Sequence, residues 1–207
     1  MTFPRPIEVQ LNDGLTFKIQ YEENYDLAGD MRDFTAGTIL TTNNRYWTGD
    51  EVIGRDIEEY EVDDFLKKIV DDGGVVLPIK MYVHSGVTFW HSDLESRIAD
   101  RWDSGVVGWS YMTAEKIQSE YKAVNDETRA KAKKLLDWEL KDVDALLRGE
   151  VYWGGVFDED DGIVESTGGY YNYETLEDMA ESMLECFAED YHDEIMGKIR
   201  NNEFDDI

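Results

Sequence analysis

Apolar and polar residues alternate along the beginning of the chain. The alternation covers residues 7–21 and is interrupted by Asn12-Asp13-Gly14. A period of two predicts strands, and an Asp-Gly pair favours a tight turn between them. The pattern therefore predicts a β-hairpin over residues 7–21.

Further apolar runs predict strands in the middle and later parts of the chain. They cover residues 38–40, 75–83, 87–90, 106–111, 150–157 and 163–171. The last two runs flank Asp158-Glu159-Asp160-Asp161-Gly162, where turn-forming residues predict a second, acidic hairpin.

Apolar residues at helical spacing predict the helices. A short amphipathic helix is predicted around residues 65–70 and ends at Gly73-Gly74. Thr113 is the N-cap candidate of a helix over about 114–123. Asn125 or Asp126 is the N-cap candidate of a longer helix over about 127–147. A last helix is predicted from about residue 174 to 200, with an apolar stripe from Leu176 to Ile199. The sequence therefore predicts an α+β fold of antiparallel hairpins with three to four helices and an acidic C-terminal helix. We expect one domain over 1–207, with a boundary near residue 73 (1–73 and 74–207) as the alternative.

The net charge of the chain limits the partners that the protein can bind. The 207 residues include 47 Asp and Glu against 20 Lys and Arg, a net charge of −27, and residues 149–207 alone hold 18 acids and two bases. Such a surface repels phosphate and anionic lipid, so we expect no direct binding of nucleic acid or membrane. No apolar run is long enough to span a membrane and no leader pattern is present, which predicts a cytoplasmic protein.

The predicted C-terminal helix is the strongest candidate site. Between residues 174 and 196 it has nine acids and no Lys or Arg, although like charges four residues apart disfavour a helix. A carboxylate every 3–5 Å or so along a helix approximates the spacing of DNA phosphates. The sequence therefore predicts a partner-binding surface made of Glu177, Asp178, Glu181, Glu185, Glu189 and Asp193, with Asp158, Glu159, Asp160 and Asp161 as a second set.

Calcium binding and salt adaptation could also account for an acidic chain. The turn at residues 158–162 begins like a calcium loop, but Gly162 stands where the fifth-position ligand is needed. Cys186 is the one cysteine, which excludes a cysteine-based zinc site. Adaptation to high salt usually depletes lysine, and lysine is not depleted in this chain. We expect no metal and no cofactor.

Catalytic candidates are few. His84 and His91 bracket a predicted hairpin, and with Asp103 they suggest a hydrolase or a metal-dependent enzyme as the alternative function. No G-x-S-x-G, Walker or G-x-G-x-x-G pattern accompanies them. We therefore expect a protein that is not an enzyme.

Several motifs between about residues 77 and 171 carry a family resemblance. They are Leu77-Pro78-Ile79, His84-Ser85-Gly86-Val87, Trp102-Asp103-Ser104-Gly105-Val106-Val107-Gly108 and Gly149-Glu150-Val151-Tyr152. The segment resembles a family of small acidic accessory proteins of phages and prophages, and departs from it at Val83, where the family pattern has an acidic residue. In charge and setting the chain is also similar to antirestriction proteins and CRISPR inhibitors that imitate DNA, which implies a counter-defence role.

Charge and resemblance together lead to one functional hypothesis. The expected function is inhibition of a host nucleic-acid-binding defence protein, with carboxylates filling its basic cleft in place of phosphates. A homodimer would lengthen such a surface. The alternative partner is a basic host protein unrelated to DNA, for which the chain would be an acidic adaptor.

Overall fold

Ten strands of the described chain form two five-stranded sheets. A computed structural model describes residues 4–23, 35–42, 49–83, 87–94 and 104–207. The strands are β1 (Ile7–Gln10), β2 (Thr16–Tyr21), β3 (Thr38–Thr41), β4 (Glu51–Val52), β5 (Val75–Val83), β6 (Val87–His91), β7 (Ser104–Met112), β8 (Val151–Phe157), β9 (Ile163–Tyr171) and β10 (Asp205–Asp206).

Five α-helices accompany the strands within these ranges. They are α1 (Val62–Asp71), α2 (Ala114–Tyr121), α3 (Asp126–Leu147), α4 (Leu176–Leu184) and α5 (His192–Arg200). The predicted α+β class is confirmed. There are five helices where three to four were expected, because the predicted C-terminal helix is two helices. None of the helices in the described ranges has the length and apolar character needed to cross a bilayer.

The chain divides into two compact units. Unit one consists of Met1–Tyr25 and Gly149–Ile207, and unit two of Asp26–Arg148. Residue 73 lies inside unit two, in the connection between α1 and β5, so the division does not fall at the boundary considered from the sequence.

Unit one contains the sheet with strand order β10-β1-β2-β8-β9, in which all pairs are antiparallel. The predicted hairpin at residues 7–21 is confirmed, and its turn has Gly14 at φ +87°, a conformation that favours glycine. One face of the sheet packs against α4 and α5, and Phe17, Ile19, Met179, Met183 and Ile195 are fully buried in the resulting core.

Unit two contains the sheet with strand order β4-β3-β7-β5-β6, antiparallel except for the β3–β4 pair. Successive residues of β5 belong to different cores: Val75 and Leu77 pack with α2 and α3, whereas Val76 packs with α1. Both faces of β5 are therefore covered, which explains its nearly continuous apolar run.

Local capping fixes where the longest helix begins. The Asn125 side chain accepts a hydrogen bond from the Thr128 N–H at 3.0 Å, and the Thr128 hydroxyl accepts one from the Asn125 N–H at 2.9 Å. This reciprocal capping box satisfies two amide groups at the start of α3. The sequence-based choice of Asn125 as an N-cap is confirmed.

Candidate functional site

The predicted acidic helix over residues 174–200 is interrupted, and the expectation of one continuous row of carboxylates is wrong. Helix α4 ends at Leu184, a 3₁₀ turn spans Glu189–Tyr191, and α5 begins at His192. A continuous helix over this range would be about 40 Å long, whereas the longest strand of unit one, with nine residues, spans about 30 Å. Folding back lets both helices pack against the same sheet.

Ala188 makes the reversal. Its backbone is left-handed (φ 58°, ψ 37°), it is buried, and its N–H donates to Glu165 Oε2 at 2.8 Å. The break also separates like charges, such as Glu185 and Glu189, that would be adjacent on one helix face. The predicted partner-binding acids are consequently divided between two helices and the segment between them.

Arg200 neutralises two of the predicted site residues. Its Nε lies 2.5 Å from Glu177 Oε1 and its Nη2 lies 3.3 Å from Glu181 Oε2. Glu181 also faces His192 Nε2 at 3.0 Å. Asp178 lies beside Glu177 in the first turn of α4, where it accepts a hydrogen bond from the Thr175 hydroxyl at 2.6 Å. This start of α4 is thus partly compensated in charge.

A different set of carboxylates gathers at the opposite end of unit one. Strands β2 and β8 pair antiparallel with Thr16 opposite Phe157, so the turns at residues 12–14 and 158–162 lie at the same end of the sheet. Helix α5 begins at this end as well, because the Asn12 N–H donates at 2.8 Å to the Oε1 of Glu194, in the first turn of that helix. The Tyr191 hydroxyl hydrogen-bonds Asp13, which raises the pKa of Tyr191.

We call this region the acidic end of unit one. It comprises Asp13, Asp158, Glu159, Asp160, Asp161, Glu165, Glu185, Glu189, Asp190 and Glu194. It includes six of the ten predicted site residues and excludes Glu177, Asp178, Glu181 and Asp193. Asp193 Oδ1 instead faces His192 Nδ1 at 3.3 Å.

The turn between β8 and β9 is held in place by its own first carboxylate. Asp158 Oδ1 accepts hydrogen bonds from the N–H groups of Asp160 at 3.0 Å and Gly162 at 2.7 Å. Glu159 lies against the neighbouring turn, where a Cβ on Gly14 would come within 3.0 Å of its Oε1. Asp161 pairs with Lys18 at 2.8 Å. Within the second predicted set, Asp158 is therefore held by backbone N–H groups and Asp161 by an ion pair.

A depression borders the α4–α5 connection in unit one. It has a volume of about 850 Å³, and its carboxylates are Glu165, Glu185, Glu189 and Asp190. The side chains of Phe187 and Tyr191 line it as well, so negative charge and aromatic surface occur together. This combination fits a cationic side chain with an aliphatic or planar stem.

The charge balance of unit one is strongly one-sided. It has 22 acidic residues and four basic ones, a net charge of −18. All four cations already lie in ion pairs: Arg5 with Asp206, Lys18 with Asp161 and Glu8, Lys198 with Glu194, and Arg200 with Glu177 and Glu181. Four cations cannot balance 22 carboxylates, so unit one projects a strong negative potential.

The acidic block at residues 50–72 lies in unit two and has two kinds of member. Asp50 accepts from the Ile39 N–H at 2.7 Å, Glu51 from the Tyr111 hydroxyl at 2.9 Å, and Asp56 from the Val52 N–H at 2.8 Å, so these three carboxylates hold the fold. Burial and the hydrogen bond to Glu51 both raise the pKa of Tyr111. The remaining acids are exposed: Glu58, Glu59, Glu61, Asp63, Asp64, Asp71 and Asp72.

Of the three residues of the alternative enzyme site, His84, His91 and Asp103, the structure describes only His91. His84 and Asp103 lie outside the described residues. His91 is completely buried, with Nε2 2.9 Å from Ser110 Oγ and Nδ1 3.3 Å from Asp137 Oδ1. This is the order of a Ser-His-Asp relay, but Ser110 is only 2% exposed, so its hydroxyl is not accessible to a substrate. The arrangement fastens the sheet to α3.

Two more carboxylates of α3 serve the same purpose. Glu139 accepts from the N–H groups of Ala36 at 2.7 Å and Gly37 at 3.0 Å, and Asp144 accepts from the Phe89 N–H at 2.7 Å. Sequence reasoning missed both of them, and Ser110 and Asp137 too. The available signal was the position of Glu139 and Asp144 within the apolar stripe of α3, where a charged residue needs a partner.

Among the described residues, no group of three or more histidine, cysteine, aspartate and glutamate side chains is arranged to hold a metal ion. Searches of protein-family models, of curated proteins and of solved structures each found no match to this chain.

Proposed function

We propose that the protein is a phage-encoded counter-defence inhibitor whose acidic end of unit one imitates DNA. It would act without catalysis in the host cytoplasm and occupy the basic nucleic-acid channel of a restriction–modification complex or a CRISPR effector. The observation that carries the proposal is the charge of unit one, where 22 acids face four cations that are all paired internally.

The way in which the acidic end is built supports a mimic over a merely soluble surface. Its carboxylates come from two hairpin turns and from a helix connection, and these are tied together by the Asn12–Glu194 and Ala188–Glu165 hydrogen bonds. Preorganised charges lose little conformational entropy on binding. Exposed negative groups held in this way attract a positive cleft and accelerate the encounter with it.

The test is displacement of DNA from a purified candidate defence enzyme by the full chain. We expect displacement that weakens as salt increases, because screening reduces attraction between exposed charges. The triple variant Glu185→Gln, Glu189→Gln, Asp190→Asn removes three charges from the acidic end. We expect it to lose affinity by about tenfold or more.

A matched variant separates local from global charge. Glu174→Gln, Glu203→Gln, Asp205→Asn removes the same charge from exposed positions away from the acidic end. If both triple variants lose affinity equally, the acidic end has no special role. If the chain displaces no DNA and instead captures a basic protein that binds no nucleic acid, the acidic adaptor replaces the mimic.

A further inference from the structure

A groove crosses the face of the unit-one sheet that is turned away from α4 and α5. Phe17 and Ile19 of β2 lie in the core beneath those helices, so the next alternating residue, Gln20, points to the other face. Gln20 stands opposite Trp153 of β8. The groove has a volume of about 680 Å³ and is lined by Pro6, Gln20, Tyr21, Glu22, Glu23, Trp153 and Ile207. Apolar and aromatic side chains therefore share it with two carboxylates.

The carboxylate of Glu22 is held in a fixed position at this groove. Its Oε2 accepts a hydrogen bond from the Gly169 N–H at 2.7 Å, and the Glu22 N–H donates to the Val151 carbonyl at 2.9 Å. Gly168 leaves room for the carboxylate, because a Cβ at that position would come within 2.8 Å of Glu22 Oε2. Among the described residues, no group donates to the other oxygen, Oε1. One oxygen of a positioned carboxylate is thus open to a ligand.

Trp153 adds an aromatic surface to the same groove. Its ring meets the Phe157 ring edge-on, with the centroids 5.8 Å apart and the planes at 61°, and the side chain is partly exposed. The face of an indole ring attracts cations more strongly than that of any other side chain. Within the described ranges, neither Glu22 nor Glu23 has a base at ion-pair distance. The groove therefore combines an indole ring with carboxylates that no base of the described chain neutralises.

We propose that this groove binds a basic segment of a partner protein and seats an arginine of that segment on Trp153 and Glu22. A guanidinium group is planar, so it can stack on an indole ring while its N–H groups donate to a carboxylate. The four cations of unit one are all paired internally, and its net charge is −18. That charge favours a cationic occupant and repels an acidic or phosphate-bearing one.

This inference goes beyond the proposed function and does not rest on it. Along the β2–β8 ladder, Tyr21 pairs with Tyr152 at one end and Thr16 with Phe157 at the other. The groove and the acidic end therefore lie at opposite ends of the sheet. Peptide binding is measured on the chain alone, without a defence enzyme, so the failure of one proposal leaves the other open to measurement.

The experiment is titration of the full chain with the peptide Gly-Arg-Gly-Arg-Gly, acetylated and amidated at its ends, followed by NMR of the tryptophan indole N–H groups. The chain has six tryptophans, and Trp153→Phe identifies the resonance of Trp153. We expect this resonance to shift saturably. A peptide with citrulline in place of arginine keeps the shape but loses the charge, and should bind about tenfold more weakly or less. A lysine peptide lacks the planar group and should bind at least about threefold more weakly.

Two variants test the two components of the groove. Glu22→Gln keeps an acceptor for the Gly169 N–H but loses the charge, and should weaken binding of the arginine peptide by about fivefold or more. Trp153→Leu removes the ring face and should weaken it by a similar factor. If Trp153→Leu does not fold, Glu22→Gln still decides. Glu185→Gln removes the same charge at the acidic end, on an exposed side chain, and is the matched control. It should change the affinity by no more than about twofold.

Three results would overturn the proposal. The first is a Trp153 resonance that does not move. The second is equal affinity for the arginine peptide and for its citrulline or lysine counterpart. The third is an equal loss of affinity in Glu22→Gln and Glu185→Gln, which would mean that the peptide responds to net charge and not to the groove.

Discussion

The imidazole of His91 hydrogen-bonds the hydroxyl of Ser110 at 2.9 Å beneath helix α3, and both side chains are buried. Burial lowers the pKa of His91, because the charged imidazolium loses its hydration there. Asp137 and Asp93 oppose this shift and Lys141 reinforces it. The neutral ring therefore bridges the sheet and the helix.

Acidification should destabilise unit two through His91. An unfolded histidine has a pKa of about 6.5. Because the pKa of His91 is lower in the folded state, the unfolded state binds more protons once the pH falls below the unfolded pKa. The contribution of His91 is therefore complete above about pH 6.5 and is lost as the pH falls toward the folded pKa. Urea unfolding at about pH 8 and about pH 5 measures the loss.

The variant His91→Gln provides the reference for that experiment. Its amide can bond Ser110 and Asp137 but does not titrate. We expect the free energy of unfolding to fall less on acidification in this variant than in the wild type. Equal pH dependence in the two proteins would show that His91 contributes nothing to it.

Removing the Glu139 carboxylate should weaken unit two strongly. Glu139→Ala leaves the N–H groups of Ala36 and Gly37 without their acceptor in a buried place, which costs about 2–4 kcal/mol. Glu139→Gln keeps one acceptor oxygen and should cost less. Glu127→Ala, exposed on the same helix, should leave the free energy of unfolding almost unchanged. A small effect of Glu139→Ala would mean that these amides find water instead.

The stability of unit one should depend on which side chain stands at Ala188, the left-handed residue that separates α4 from α5. Ala188→Val places a β-branched residue at φ 58° and should destabilise unit one by about 1–2 kcal/mol. Ala188→Gly adopts this conformation freely and should change stability by no more than about 1 kcal/mol. Chemical denaturation compares the two variants. Equal losses would indicate that buried volume, not backbone conformation, controls this position.

The Arg200 pairs should stabilise unit one in a salt-dependent way. Glu177 first, and Glu181 second, raise the pKa of Arg200 and hold α5 beside α4. Arg200→Gln should lower the midpoint of thermal unfolding in dilute buffer, and the difference from wild type should shrink in high salt. Arg5→Gln breaks the pair with Asp206 and removes the same charge. Identical behaviour of both variants would show that only net charge matters.

The sequence predicted local elements better than it predicted how they meet. Both hairpins follow from alternation and turn residues, and α3 follows from its period and the Asn125 cap. The break near Ala188 was not predictable from this pattern, because Phe187, Tyr191 and Ile195 continue the four-residue spacing across it. An alanine also carries none of the signal that a glycine would give for a left-handed turn.

The candidate site was predicted by charge and not by geometry. Acid density along residues 149–207 indicated the part of the chain where the acidic end lies. The gathering of Glu159 and Glu185 at one end depends on the antiparallel pairing of β2 with β8 and on the return of the chain after α4. Those are long-range relationships, and a periodicity measured along the chain does not contain them.

The internal pairing of all four basic side chains of unit one has a thermodynamic consequence. Its remaining negative charge is balanced by mobile sodium or potassium ions drawn from solution, as happens around a polyelectrolyte. Any positively charged protein that docks there sends those ions back to bulk, and the entropy they gain favours the complex. The slope of log affinity against log salt then counts the ions released.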